Sequence, residues 1–206
     1  MLDHGRPALM FRLGLTGGAG AGKSTIGRLL ESRGIRVIDT DDLARQLVQP
    51  GEAALREIVS VFGQSMLDDA GKLRRDVLAA RIFASQEERK TLEGILHPRI
   101  RERWQQLLAR WNAEGVELGC VIIPLLFETK AEEFFDRVVA VGCSAATQSE
   151  RLRSRGWSEN DVRERLAAQL PLKEKLGRAD FVIWTEGDPG QLEPQWSRIA
   201  AALLGG

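Results

Sequence analysis

The chain has 206 residues, 29 of them Lys or Arg and 29 Asp or Glu, for a formal net charge of zero. That length suits one domain with a full core and helical insertions, and the charge balance argues against general affinity for a polyanion such as nucleic acid. The two cysteines, Cys120 and Cys143, each sit in an apolar run, which argues against a disulfide-built secreted scaffold, and no uncharged apolar run nears membrane-spanning length. The expected location is therefore cytoplasmic.

In chain order, residues 9–15 read as a first buried strand. A glycine-rich loop follows. Residues 24–33 then read as a helix with Ile26, Leu29 and Leu30 on its apolar stripe and Gly34 as the stop. Residues 36–38 predict a second short strand, ending in the acids Asp39, Asp41 and Asp42. The long stretch 50–115 reads as all-helical. Pro98 is expected at a first helical position. Ile100, Trp104, Leu107, Leu108 and Trp111 then recur at helical spacing, as core residues do.

Further strands are predicted at 120–126, 137–141 and 181–184. Between the last two, residues 147–176 read as a second helical insertion, with Thr147/Glu150 and Ser158/Asp161 as helix-opening pairs. Buried strands alternating with helices predict an α/β fold with a central parallel sheet flanked by helices. The expected core covers 9–49, 116–146 and 177–206.

Gly17, Gly22, Lys23 and Ser24 satisfy the phosphate-loop pattern G-x-x-x-x-G-K-[ST], after a strand and at the start of a helix. The loop Gly17, Gly18, Ala19, Gly20, Ala21, Gly22 can curl so that successive N–H groups point into one concavity. Lys23 is expected on the β- and γ-phosphates, Ser24 on magnesium, and Thr25 beside them. The implied ligands are ATP and Mg2+. The guanine-reading pattern N-K-x-D and the transport-ATPase segment L-S-G-G-Q are both absent.

The apolar run "CVIIPLLFE" carries Pro124 where many motor-type ATPases place a magnesium-linked acid, so the acidic group must come from elsewhere. Asp39 and Asp41 follow the second strand, on the sheet edge where the phosphate loop lies. Of two carboxylates there, one can take a proton from an attacking hydroxyl and one can hold magnesium. Asp42 is expected to cap the following helix. Arg151 and Arg155 are spaced to share a helix face, and Arg165 and Gln169 repeat the spacing. Such a helical pair could close over transferring phosphates. These features predict a small-molecule or nucleoside kinase; a nucleotide-gated binding module is the competing class.

The segments "GLTGGAGAGKST", "VIDTDDLARQLVQPG", "GKLRRDVLAARIF", "LEGILHPRIR", "PLLFE", "RLRSR", "RLAAQ" and "ADFVI" occur in an order that resembles the dephospho-CoA kinase family. The resemblance runs from about Arg12 to Trp184. It implies phosphorylation of the ribose 3′-hydroxyl of dephospho-CoA by ATP, giving CoA and ADP. It implies a P-loop core, a helical acceptor-binding insertion at about 50–115 and a helical lid at about 147–176, in a monomer or small homo-oligomer.

By the same match Asp41 is the general base and Asp39 supports magnesium or the acceptor. Arg75 and His97 belong to the acceptor side, with Leu126, Glu128, Arg165 and Gln169. Arg151 is the lid arginine facing the phosphates, and Arg155 joins it there. For His97 a backbone-anchoring role before Pro98 stands open, as does structural pairing for Glu128. Two departures are visible. Thr40 stands where the family usually has alanine, and "VIWTEG" lacks the asparagine the family commonly shows near Glu186, beside the adenine.

Overall fold

The computed structural model describes residues 10–167 and 169–204. The extension before Met10, with His4 and the expected start of the first strand, lies outside the described residues, as do the side chains of Asp161 and Arg165. The chain forms two compact units. One is built from the chain up to Asp39 and from Trp111 onward, the other from Thr40–Arg110.

The first unit holds a five-stranded, wholly parallel sheet: β1 (Phe11–Gly17), β2 (Arg36–Asp39), β3 (Leu118–Ile122), β4 (Arg137–Gly142) and β5 (Phe181–Trp184), in the spatial order β2-β3-β1-β4-β5. Parallel strands need crossover connections, and the helices that supply them cover the sheet faces, so β3 is buried at every position. Leu13, Leu15, Ile26, Leu30, Cys120, Ile122, Val139, Val141, Ile183 and Trp196 make one continuous core there.

β1 is central: the chain leaves it toward β2 and β3, then passes to β4 on its other side. Ligands of open parallel sheets bind at the carboxyl ends of strands at such a reversal. The loop after β1 occupies that place.

The predicted elements stand with shifted ends. Helix α1 spans Lys23–Ser32 and starts one residue early. β3 stops at Ile122, because the chain from Pro124 onward turns: Thr129 N–H bonds to Leu125 O at 3.0 Å and Ala131 N–H to Leu126 O at 2.8 Å. Leu126, with no exposed surface, drops into the core; a Cβ on Gly14 would stand 2.9 Å from its Cδ1 and 3.0 Å from the Phe135 ring, so a larger residue there would have to displace them.

The second unit is helical: α2 (Thr40–Leu47), α3 (Ala53–Phe62), α4 (Arg75–Ala84) and the greater part of α5 (Gln86–Ala113). Ala54, Ile58, Phe62, Met66, Leu78, Leu92 and Ile95 form its own core. Pro98 lies inside α5, not at its start. The ring removes one N–H from the helix ladder, and Gly94 O four residues back loses that donor. The helix runs through because both flanking segments bury residues, Leu92 and Ile95 before the proline and Trp104 and Leu108 after it. Trp104 is core as expected, while Trp111 is half-buried beneath the Arg36 guanidinium, 5.8 Å from the ring centroid.

The second helical stretch contains α6 (Ala145–Arg153), α7 (Glu159–Ala167) and α8 (Leu172–Arg178); α9 (Leu192–Leu204) closes the fold. α6 begins three residues before the expected start. Its cap is Ser144, whose hydroxyl accepts the Thr147 N–H at 3.2 Å.

Candidate active site

The loop between β1 and α1 is shaped by three glycines with left-handed backbone: Gly17 at φ 148°, Gly20 at 73° and Gly22 at 96°. Close approach also demands them. A Cβ on Gly17 would stand 2.3 Å from Val141 O of β4, and one on Gly22 would stand 3.1 Å from Thr185 Oγ1. Gly22 occupies the N-cap of α1 without a capping side chain. The first N–H groups of a helix have no carbonyl four residues back, and its dipole favours negative charge there. The cradle therefore fits a phosphate chain. Lys23 Nζ donates to Gly17 O and Gly18 O, each at 3.0 Å, which curls the lysine along the loop. Ser24 and Thr25 are exposed on the first turn of α1.

α6 braces this loop through Gln148, Arg151 and Leu152, of which only Arg151 was singled out from the sequence. Gln148, buried, donates from Nε2 to Ala19 O at 2.5 Å. Leu152, fully buried, packs against Gly20. Arg151 donates to Thr185 Oγ1 at 2.8 Å, to Thr185 O at 2.5 Å and to Gly20 O at 3.5 Å. Thr185 Oγ1 in turn donates a hydrogen bond to Ala21 O at 2.7 Å. Arg151 thus lies against the phosphate loop, clasping the end of β5 to it. The only sequence signal for Gln148 and Thr185 is their place next to segments already marked.

Glu186, just after β5, is bound to the start of α6. Its carboxylate accepts from Ser144 Oγ at 2.6 Å, Thr147 Oγ1 at 2.7 Å and Ser144 N–H at 3.0 Å. These donors, the Ser144 hydroxyl first, hold the carboxyl below the usual range.

Two expected helix-face pairings do not form. α6 ends at Arg153 and Gly156 takes φ 84°, so Arg155 sits in the turn, exposed and off the face of Arg151. α7 likewise ends at Ala167, before Gln169, so Arg165 and Gln169 do not share a helix.

Glu128, half-buried, pairs through Oε1 with Lys175 Nζ at 2.7 Å and accepts the Leu170 N–H at 2.9 Å on the same oxygen. Among the described residues its Oε2 and the Oε1 of Gln169 are buried without a hydrogen-bond partner. Leu126, expected on the acceptor side, has no exposed surface: its side chain belongs to the core.

Asp39 is the last residue of β2, half-buried, in register with Ile122. α2 follows without a break, so Asp41 and Asp42 fall in its first turn, both exposed. Asp42 does not cap the helix; it pairs with Arg45 three residues on, at 3.1 Å from Nε. Thr40 is buried as the first residue of α2. In the helical unit Arg75 opens α4 and donates to Arg45 O at 3.4 Å. His97 is inside α5, half-buried, and burial depresses its pKa below the ordinary value, keeping it neutral at pH 7; Glu93 opposes this and Arg101 adds to it. Among the described residues no three His, Cys, Asp or Glu side chains gather to hold a metal, and no helix is long and apolar enough to cross a membrane.

This architecture has known counterparts. The family model described as dephospho-CoA kinase matches residues 11–189. A dephospho-CoA kinase of Anaeromyxobacter dehalogenans is 45% identical over 197 residues, covering 94% of this chain and 92% of that protein. A solved protein of Thermus thermophilus superposes with a TM-score of 0.80 at 32% identity, over 96% of this chain and 99% of its own. The solved dephospho-CoA kinase of Campylobacter jejuni gives a TM-score of 0.69 at 25% identity, over 93% and 96%. With its phosphate-binding cradle at the reversal point of a parallel sheet, the chain belongs to the dephospho-CoA kinase family and is a P-loop phosphotransferase.

Proposed function

We propose that this chain moves the γ-phosphoryl group of ATP to the ribose 3′-hydroxyl of dephospho-CoA, with Asp41 as general base. The observation that carries the reading is the glycine cradle at the carboxyl end of central β1, with Asp39 at the carboxyl end of β2 in the same sheet and Asp41 two residues on, in the first turn of α2. Asp41 takes the hydroxyl proton as the ribose oxygen bonds to phosphorus, the bond to the β-phosphate oxygen breaks, and ADP leaves. Little covalent chemistry falls to the protein, so its work is positioning and charge stabilisation.

Lys23, freed from the Gly17 and Gly18 carbonyls, follows the transferred group. Arg151, fixed by Thr185 against the loop, supplies charge beside it, and Arg155 reaches it from the turn. Ser24 and Asp39 would hold magnesium, one hydroxyl and one carboxylate with the phosphates completing the shell, an arrangement that needs no acidic cage. Bound there, the metal neutralises charge on the phosphate oxygens. The helical stretch 50–115, with Arg75 and neutral His97, receives the acceptor; 147–176 serves as the lid and contributes Arg165 and Gln169. Glu128 contacts the acceptor through the oxygen that Lys175 leaves unpaired.

The test is ADP release with magnesium and ATP, with dephospho-CoA, adenosine or pantetheine as acceptor, beside the Asp41→Asn variant. Expected are equal amounts of ADP and CoA with dephospho-CoA alone. Asp41→Asn should lose about a hundred- to ten-thousandfold in rate, the usual share of general base catalysis, while still binding ATP. ADP formed equally without dephospho-CoA would sink the reading.

A further inference from the structure

Among the described residues Lys175 is the only charged side chain in the buried class, at 0% exposure. Its Nζ donates to Pro124 O at 2.6 Å and pairs with Glu128 Oε1 at 2.7 Å. The same Pro124 carbonyl accepts from Thr16 Oγ1 of β1 at 3.3 Å, one residue before the phosphate loop. Glu128 Oε1 also takes the Leu170 N–H, at 2.9 Å, just before α8. One ammonium thus ties α8 to the turn after β3, and one carboxylate oxygen ties that turn to the chain entering α8.

Packing alone does not call for a lysine there. A buried ion pair loses much of its attraction to desolvation, and an apolar side chain of similar length would serve the core as well or better. What the lysine adds is direction: it fixes which oxygen of Glu128 is occupied. The other oxygen, Oε2, is buried with no partner among the described residues, and so is Oε1 of Gln169, the residue adjoining Leu170. Buried acceptors are nearly always satisfied in folded proteins. Two that are not, on the residue that accepts the Leu170 N–H and on the residue next to Leu170, call for donors that the described residues do not supply.

We propose that Lys175 is a positioning residue for the transfer: by holding Glu128 Oε1 it keeps Glu128 Oε2 and Gln169 Oε1 set to receive hydroxyl or amino donors of the acceptor. This rests on the acceptor contact assigned above to Glu128 and Gln169. Lys175 touches no reacting atom and acts through Glu128.

The experiment compares the full-length protein with Lys175→Met, Glu128→Gln and the double variant, measuring KM for dephospho-CoA and for ATP separately, with thermal melting of each. Lys175→Met should raise KM for dephospho-CoA about tenfold or more, the scale of a lost hydrogen bond to a charged group. KM for ATP should stay within about twofold, since the lost bond is on the acceptor side. It should also melt lower, because Glu128 is left as an unpaired, largely buried charge. The double variant, with neither charge, should regain melting temperature while keeping the raised KM for dephospho-CoA, and it carries the test if the single variant does not fold.

Recovery of KM together with melting temperature in the double variant would overturn the proposal, leaving Lys175 a purely structural group. Glu128→Gln separates the two layers. A wild-type KM for dephospho-CoA in that variant removes the acceptor contact of Glu128, and the positioning with it. A raised KM there beside an unchanged one in Lys175→Met keeps the contact and refutes the positioning alone.

Discussion

Gly17 shows how narrowly single positions are specified around the phosphate loop. Its φ of 148° and the 2.3 Å that would separate an added Cβ from Val141 O act together. Gly17→Ala must strain the backbone or push β1 from β4. Each effect costs on the order of 1–3 kcal/mol, so the variant should unfold several degrees lower and lose ATP binding, checked by melting with and without nucleotide. Gly34, also left-handed at φ 77° but with nothing within 4 Å of the added Cβ, should tolerate alanine with only the strain cost and full ATP binding. The contrast separates crowding from conformation.

At the scale of an element, α6 is the brace. It is capped by Ser144, held from outside by Glu186, and delivers Gln148, Arg151 and Leu152 to the loop. Ser144→Ala removes the cap and one donor to Glu186; loss of such a cap costs about 1 kcal/mol, and melting should fall accordingly. The Glu186 carboxyl is held below its ordinary range by the Ser144 and Thr147 hydroxyls. A carboxylate depressed by folding contributes stability that is present above its unfolded pKa, about 4.3, and is lost as pH falls through the folded value. Melting of the natural chain should therefore decline on acidification through that range more steeply than that of Glu186→Gln, and parallel curves would show the anchor to be inert.

At the scale of the whole molecule, the exposed edge of the sheet is managed. β5 is one of its two outer strands, and Val182 and Trp184 on it stand 43% and 41% exposed. The side chain of Gln195 closes that edge at Trp184: Oε1 accepts the Trp184 N–H at 2.8 Å and Nε2 donates to Trp184 O at 2.9 Å, as a neighbouring strand would. Unpaired edges invite association between chains. Gln195→Ala should shift sedimentation toward larger species as concentration rises, with transfer activity per chain unchanged at low concentration; an unaltered profile would show that the amide does not guard the edge.

The sequence by itself determined the fold class, the phosphate loop and the family, because each is written in local pattern. Short apolar runs separated by helical periods specify a covered parallel sheet, and the loop glycines are needed for backbone geometry that neighbouring residues dictate. Element ends were less legible. Pro98 reads as a helix start because proline prefers that place, yet burial on both sides of it carries α5 through. Arg151 and Arg155 share a helix face on spacing alone, but α6 stops between them. What only the tertiary structure decided are the long-range polar ties. Gln148 meets Ala19 across 129 residues of chain, Arg151 meets Thr185, and Lys175 meets Glu128 inside the protein. A polar side chain's partner is set by which elements pack together, and burial turns that contact from negligible to decisive by removing the competing water.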